Sequence, residues 1–394
     1  MSTDKEFDIA VFGATGFTGA LITEYLMGKY GDSLKVAVAG RNEVKLKNVT
    51  QELQITDRVS TVVVDAADEA GLCELAKRCR VIISAAGPYT LHGKPLVAAC
   101  ASVGTDYVDL TGESNFIREM IDTYSDKARE SGARIVHSCG FDSVPTDLGI
   151  YRLQQLAREY LGSPFQRVKG RVEALQGAAS GGTVASIMAA GQAAQENQDI
   201  ADQMVNPYSL AEGFEGPTQP SGNEAVNDEE LGSWSAPFIM AEINTKNVHR
   251  TNMLLGHSYG VEFLYDEMMF TGPGAEGEGI ANAVEADPIG AFTGGGEPPK
   301  PGEGPSKEER ENGHFTIAYH GTTNGKSIAV RVAGFQDPGY GSTSKQIAES
   351  AMCLLLDGVP TKGGIWTPAS CMAQQLTQRL QDQGVLSFTD ELNV

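Results

Sequence analysis

The stretch Asp8-Ile9-Ala10-Val11-Phe12-Gly13-Ala14-Thr15-Gly16-Phe17-Thr18-Gly19 decides how the rest of the chain is read. An apolar run leads into three glycines at intervals of three, and a helical pattern follows through Leu21, Ile22, Tyr25 and Leu26. A buried parallel strand, a tight turn and a helix N-terminus account for this order. Gly13 permits the turn, Gly16 lets the backbone approach a pyrophosphate, and Gly19 lets helix pack on strand. The free N–H groups and positive dipole end of the helix would hold the diphosphate, so Gly13 to Gly19 are expected to bind a dinucleotide.

Outward from this turn, Leu34 to Asn42 reads as a second strand and its terminal loop. An acidic residue after such a strand would bond ribose hydroxyls, whereas arginine pairs with a 2′-phosphate. Here the turn is Gly40-Arg41-Asn42, which points to NADP(H); the alternative is that Arg41 is an ordinary surface residue. A third strand, Val59 to Val64, ends at Asp65, placed either to bond an adenine amino group or to cap the next helix. The strand Val81 to Ala86 opens into Gly87-Pro88-Tyr89-Thr90-Leu91-His92, a loop expected beside the nicotinamide ribose. Further strand and helix patterns run to His137 and complete a nucleotide-binding domain.

Of 394 residues, 41% are hydrophobic and 21% charged, which describes an ordinary globular protein with room for two domains. The net charge of −21 disfavours nucleic acid and anionic membrane as partners. Six cysteines without a C-x-x-C pair read as reduced thiols, and six histidines without ligand spacing give no reason to expect a metal. The first residues lack the apolar core of a signal peptide, and no apolar run approaches the ~20 residues of a membrane span. A cytoplasmic, soluble protein is expected.

The strings GATGFTG, AGRN, AAGPYTLHG, YVDLTGE and CGFDSVPTDLG, followed by SGGT, PKPGEGPS, GYGSTSKQIAESA and GGIWTPAS, span nearly the whole chain. In this order they resemble the saccharopine dehydrogenase-like oxidoreductases, nearest the branch with the mycobacterial trans-acting enoyl reductases. The resemblance implies an α/β fold: a Rossmann-type, doubly wound parallel sheet (1–145), an inserted α+β domain (146–340) and C-terminal helices returning to the Rossmann domain (341–394). It is also compatible with a homodimer.

The residues agree with that division. Ser143 reads as an N-cap and Pro145 as an early residue of a helix through Leu148 and Leu156. Ser180-Gly181-Gly182-Thr183 opens an alanine-rich helix, either after a flexible turn or as a second anion-binding N-terminus. The segments 197–232 and 294–313 read as surface loop and exposed connection. Phe315–His320 and Ser327–Ala333 alternate like strands of a mixed or antiparallel sheet.

NADPH at a sheet edge usually donates hydride. Tyr25-x-x-x-Lys29, the one short-chain-dehydrogenase spacing, lies on the first helix, away from the nicotinamide. Cys139 has no assignable base, which disfavours covalent catalysis. Tyr89 and His92 are the nearest titratable candidates for catalysis, with packing and turn-capping as their alternative roles. Asp142 and Ser143 either contact cofactor or substrate across the cleft or start a helix; His249 and Arg250 either bind a substrate carboxylate or belong to an exposed strand. The leading expectation is reduction of an activated double bond in a small-molecule or acyl substrate; the resemblance to the trans-acting enoyl reductases implies a C=C bond of a lipid or polyketide intermediate. A saccharopine-type imine dehydrogenase and a non-catalytic NADP-binding sensor or lipid-associated protein are the alternatives. With 30 Lys plus Arg and few in the middle region, the apolar substrate is preferred over one with several carboxylates.

Overall fold

The computed structural model describes residues 5–177, 181–293 and 304–394. Its first part alternates strand and helix: β1 (Phe7–Phe12), α1 (Phe17–Lys29), β2 (Val36–Gly40), α2 (Glu43–Glu52), β3 (Val59–Val63), α3 (Glu69–Arg78), β4 (Cys79–Ser84), the short α4 (Tyr89–His92), α5 (Lys94–Val103), β5 (Asp106–Asp109), α6 (Ser114–Ser131) and β6 (Arg134–Val136). The middle part comprises α7 (Val144–Leu161), β7 (Arg167–Gln176), α8 (Gly181–Glu196), α9 (Gln198–Val205), β8 (Val226–Asp228), β9 (Ser233–Pro237), α10 (Ala241–Leu254), β10 (Leu264–Gly272), α11 (Gly274–Ala286), α12 (Pro288–Thr293), α13 (Lys307–Asn312), β11 (His314–Thr323) and β12 (Lys326–Gly334). The chain ends in α14 (Thr343–Leu356), β13 (Gly364–Trp366), α15 (Pro368–Asp382) and β14 (Leu386–Asn393).

The first sheet has the order β13-β6-β5-β4-β1-β2-β3, and every neighbouring pair is parallel. Strands β1, β2 and β4 are buried almost throughout, because helices cover both faces of such a sheet. The strand order reverses between β1 and β4, so a crevice opens at their carboxyl ends. The second sheet, β14-β12-β11-β7-β10-β9-β8, is mixed: β7 and β10 run parallel and the other pairs antiparallel.

Helix α7 joins the two layers. It packs on β11 and β12, and against α10 and α15. Asp147, buried in its first turn, accepts from the Thr251 hydroxyl of α10 (2.6 Å) and the Ala369 N–H of α15 (2.7 Å), pinning three helices at one point.

Three stretches differ from the sequence expectations. Segment 197–232 holds α9, whose N-cap Asn197 accepts from the Asp199 N–H, and β8, which pairs with β9. Within 294–313, residues 294–303 lie outside the described residues, and the remainder forms α13 on a Ser306/Glu309 capping box. The C-terminal segment divides: α14 and β13 return to the first sheet, whereas β14 leaves it and becomes an edge of the second.

Replacing Asp147 with Ala leaves a buried hydroxyl and a buried N–H without their acceptor, at a cost of about 2–4 kcal/mol. Urea unfolding followed by circular dichroism should show a clearly lower midpoint for the variant; an unchanged midpoint would mean that the three helices do not depend on this contact.

Candidate active site

The glycine turn has the geometry a nucleotide phosphate needs. Gly13 sits at φ +86°, and a Cβ there would meet the Ala85 carbonyl carbon at 3.0 Å, so no side chain fits. A Cβ on Gly19 would lie 2.2 Å from the Gly13 carbonyl oxygen; its absence brings α1 against the turn. Gly16 is the N-cap of α1, which has no side-chain cap and no acidic residue in its first turn. The first N–H groups of the helix are thus left for an anion.

Beside this turn runs a groove of about 420 Å³ lined by Gly13, Thr15, Gly40, Arg41, Asp65, Ala86, Gly87 and His92, among others. It brings together the ends of β1, β2 and β3 and the loop after β4. Arg41 is exposed and free to turn toward a phosphate in the groove. Asp65 Oδ1 accepts from the Ala67 N–H at 2.9 Å, a local turn contact that leaves its second oxygen open to the groove. Asn42 instead spends its side chain capping α2, accepting from the Lys45 N–H at 3.0 Å. Ala14 is buried under the turn, and the Phe17 ring packs edge-on against Tyr340 at 4.8 Å. These features fit a dinucleotide with a 2′-phosphate. When bound, NADPH supplies hydride at the nicotinamide end.

A second cavity, of about 340 Å³, adjoins the groove, and Gly87 lines both. Its walls come from both layers: Thr18, Tyr89, Leu110 and Phe141 from the first, with Leu175, Ile187, Met204, Ile239, Ile243 and Phe292 from the second. Among the described lining residues there is no Lys, Arg or His. The two carboxylates at its wall are Asp142 and Glu242. Glu242 accepts from Ser114 Oγ at 3.1 Å and from the buried Lys246 ammonium at 2.5 Å, so its charge is compensated. Asp142 is different: no hydrogen bond or ion pair to another described residue holds its carboxyl, and burial alone raises it to about 7.

The loop between the two spaces is held by Glu113, a residue the sequence reading did not single out. Its buried carboxylate accepts from the Tyr89 N–H (2.8 Å), the Thr90 N–H (2.7 Å) and the Thr90 hydroxyl, and from Ser186 Oγ of α8 (2.8 Å). Gly87 and Pro88, joined by a cis peptide bond, immediately precede this turn.

Several candidates are reassigned by their surroundings. The Tyr89 hydroxyl donates to the Ser84 carbonyl (2.9 Å) and accepts from the Leu110 N–H (3.2 Å), and burial raises it well above the ordinary tyrosine value. Its proton is committed to the backbone, so Tyr89 shapes the cavity with its ring and is not an available acid. His92 is exposed and lines the groove, not the second cavity. Ser143 is the N-cap residue of α7 as expected, but its side chain makes no capping bond; its buried Oγ donates instead to Asn244 Oδ1 at 3.0 Å. His249 and Arg250 lie within α10, not on an exposed strand. Burial lowers His249 to about 3, and Arg250 donates to the Leu210 (2.7 Å) and Ile365 (2.8 Å) carbonyls, so neither offers a charge to a substrate. Cys139 is fully buried with its thiol pushed well up, the opposite of an activated nucleophile. Tyr25 bonds Glu349 at 2.6 Å in a structural cluster. Ser180 lies outside the described residues; of its motif, Gly182 and Thr183 line the second cavity. Among the described residues no group of three or more metal-ligating side chains occurs, and no helix is long and apolar enough to cross a membrane.

Arg41→Ala should weaken NADPH binding by about tenfold or more, the size of one charge-assisted contact, and leave NADH binding nearly unchanged. Calorimetric titration of both cofactors into both proteins checks this; equal losses for the two would show that Arg41 does not read the 2′-phosphate.

Residues 9–136 match the family model described as "Saccharopine dehydrogenase NADP binding domain". Along its full length the chain is similar to a putative trans-acting enoyl reductase of Mycobacterium tuberculosis, with 39% identity and 99% of each chain covered. It is 36% identical to a trans-acting enoyl reductase of Mycobacterium ulcerans, covering 100% of each. Among solved structures, saccharopine dehydrogenase (L-Glu forming) from Saccharomyces cerevisiae shares the fold: TM-score 0.55, 12% identity, with 98% of this chain and 100% of that one covered. The chain therefore belongs to the saccharopine dehydrogenase-like oxidoreductases, on the branch of the trans-acting enoyl reductases, and is an NADP-dependent oxidoreductase.

Proposed function

We propose that this protein reduces the activated C=C bond of an enoyl intermediate, with NADPH as hydride donor. The observation that carries this reading is the second cavity: largely apolar, free of cationic side chains among its described lining residues, and sharing Gly87 with the cofactor groove. A saccharopine-type substrate carries several carboxylates, and a site for it would need Arg or Lys to offset their desolvation. Asp142 and Glu242, the acidic groups at this wall, offer such a substrate no compensating charge. An acyl chain asks only for apolar wall, which Leu175, Ile187, Met204, Ile243 and Phe292 supply. The names of the full-length relatives support the same reading.

The test is NADPH oxidation with N-acetylcysteamine thioesters of 2-enoic acids of increasing length, alongside lysine plus 2-oxoglutarate. Enoyl thioesters should turn over, with kcat/KM rising up to about fourfold per added methylene while the chain still finds apolar wall, as follows from ~0.8 kcal/mol per buried CH₂. Turnover of the amino acid pair alone, or rates indifferent to chain length, would overturn the proposal.

A further inference from the structure

Reduction of an enoyl thioester needs a hydride at the β-carbon and a proton at the α-carbon. The cofactor supplies the first; nothing yet described supplies the second. We infer that Asp142 is the acid that protonates the α-carbon, an assignment that rests on the enoyl reading above.

Around the cavity, each other titratable group among the described residues is already committed. The Tyr89 hydroxyl is bonded to Ser84 and Leu110, and the Glu113 carboxylate to the Tyr89–Thr90 turn and Ser186. The Glu242 carboxylate is paired with Lys246 and Ser114. Asp142 lines the cavity with no hydrogen bond or ion pair among the described residues to hold its carboxyl. It lies in the turn just before α7, where the backbone is anchored: the Phe141 N–H donates to Thr343 Oγ1 at 2.9 Å, and the Val144 N–H to the Gly140 carbonyl at 2.9 Å. A fixed backbone with an unfixed carboxyl suits a group that must reach a substrate atom.

Low-dielectric walls without a compensating cation disfavour the carboxylate, and the group titrates near 7 instead of near 4. A substantial fraction then carries a proton at neutral pH, as a general acid requires. In the balanced step, the Asp142 O–H bond breaks as a C–H bond forms at the α-carbon. The electron pair of the transient enolate makes that bond, and the carboxylate left behind regains its proton from water. Hydride and proton together give the saturated thioester and NADP⁺.

Asp142→Asn keeps the shape and removes the proton; Asp142→Ser serves as a second variant should the first not fold. NADPH binding by fluorescence should be unchanged, because Asp142 does not line the cofactor groove. The rate with an enoyl thioester should fall about 10²–10⁴-fold. The wild-type rate should decline as pH rises through about 7, where the acid loses its proton, and the variant should lose that limb. With a 2-methyl-enoyl thioester, wild type should give one configuration at C2, while residual variant turnover, protonated by solvent, should give both. Without cofactor or substrate, ¹³C NMR of Asp-labelled protein should show a carboxyl titrating near 7 that disappears in the variant. A variant that keeps the wild-type rate, pH profile and single C2 configuration overturns this inference and leaves the enoyl reading standing. A wild type that reduces no enoyl thioester overturns that reading and the inference with it.

Discussion

One buried carboxylate holds the site together. Glu113 receives two backbone N–H groups and a hydroxyl from the Tyr89–Thr90 turn, and a second hydroxyl from Ser186 on α8. The first set fixes the loop at the carboxyl edge of the parallel sheet; the last ties that loop to a helix of the middle segment. An anion this deep would be costly unless each lone pair found a donor, and it has found them. Because of that tie, Gly87 stands where the cofactor groove and the apolar cavity meet. The Tyr89 ring, held by its own bonds to Ser84 and Leu110, lines the apolar cavity.

The chemistry follows from what the cavity leaves out. With no cationic side chain among its described lining, it offers nothing to a carboxylate and much to a hydrocarbon. The same lack of compensating charge, with burial, raises the Asp142 carboxyl to about 7. This has a cost in stability. A carboxyl whose folded value exceeds its unfolded one favours the folded state at low pH and withdraws that contribution as pH rises from about 4 through 7. Glu267, buried beneath Thr146, is raised to about 7 by the same desolvation and adds to the trend.

Much of the architecture was legible because its causes are local. The glycine turn, the apolar strands and Arg41 and Asp65 at strand ends each follow from a few adjacent residues, and the structure gathers them along one groove. The Ser306-x-x-Glu309 capping box and the Asn197 cap were local too, and could have revealed α13 and α9 in segments that otherwise read as loop. What could not be read were properties set across the chain. Tyr89 looked reactive until Leu110 claimed its hydroxyl, and the exposure assumed for His249 and Arg250 is removed by Tyr208, Phe263, Leu210 and Ile365. β14 carries no strong pattern of its own and is defined by its pairing with β12. Glu113 sat in a quoted motif, but its role depends on partners at 89, 90 and 186.

The central claim is that groove and cavity form one working cleft, meeting at Gly87. A crystal structure with NADP⁺ and a non-reducible acyl thioether analogue tests it most directly. The account predicts the adenosine end between Arg41 and Asp65, the nicotinamide beside Gly87, and the acyl chain in the apolar cavity with its α-carbon next to the Asp142 carboxyl. A nicotinamide turned away from that cavity, or an acyl chain bound elsewhere on the protein, would contradict it.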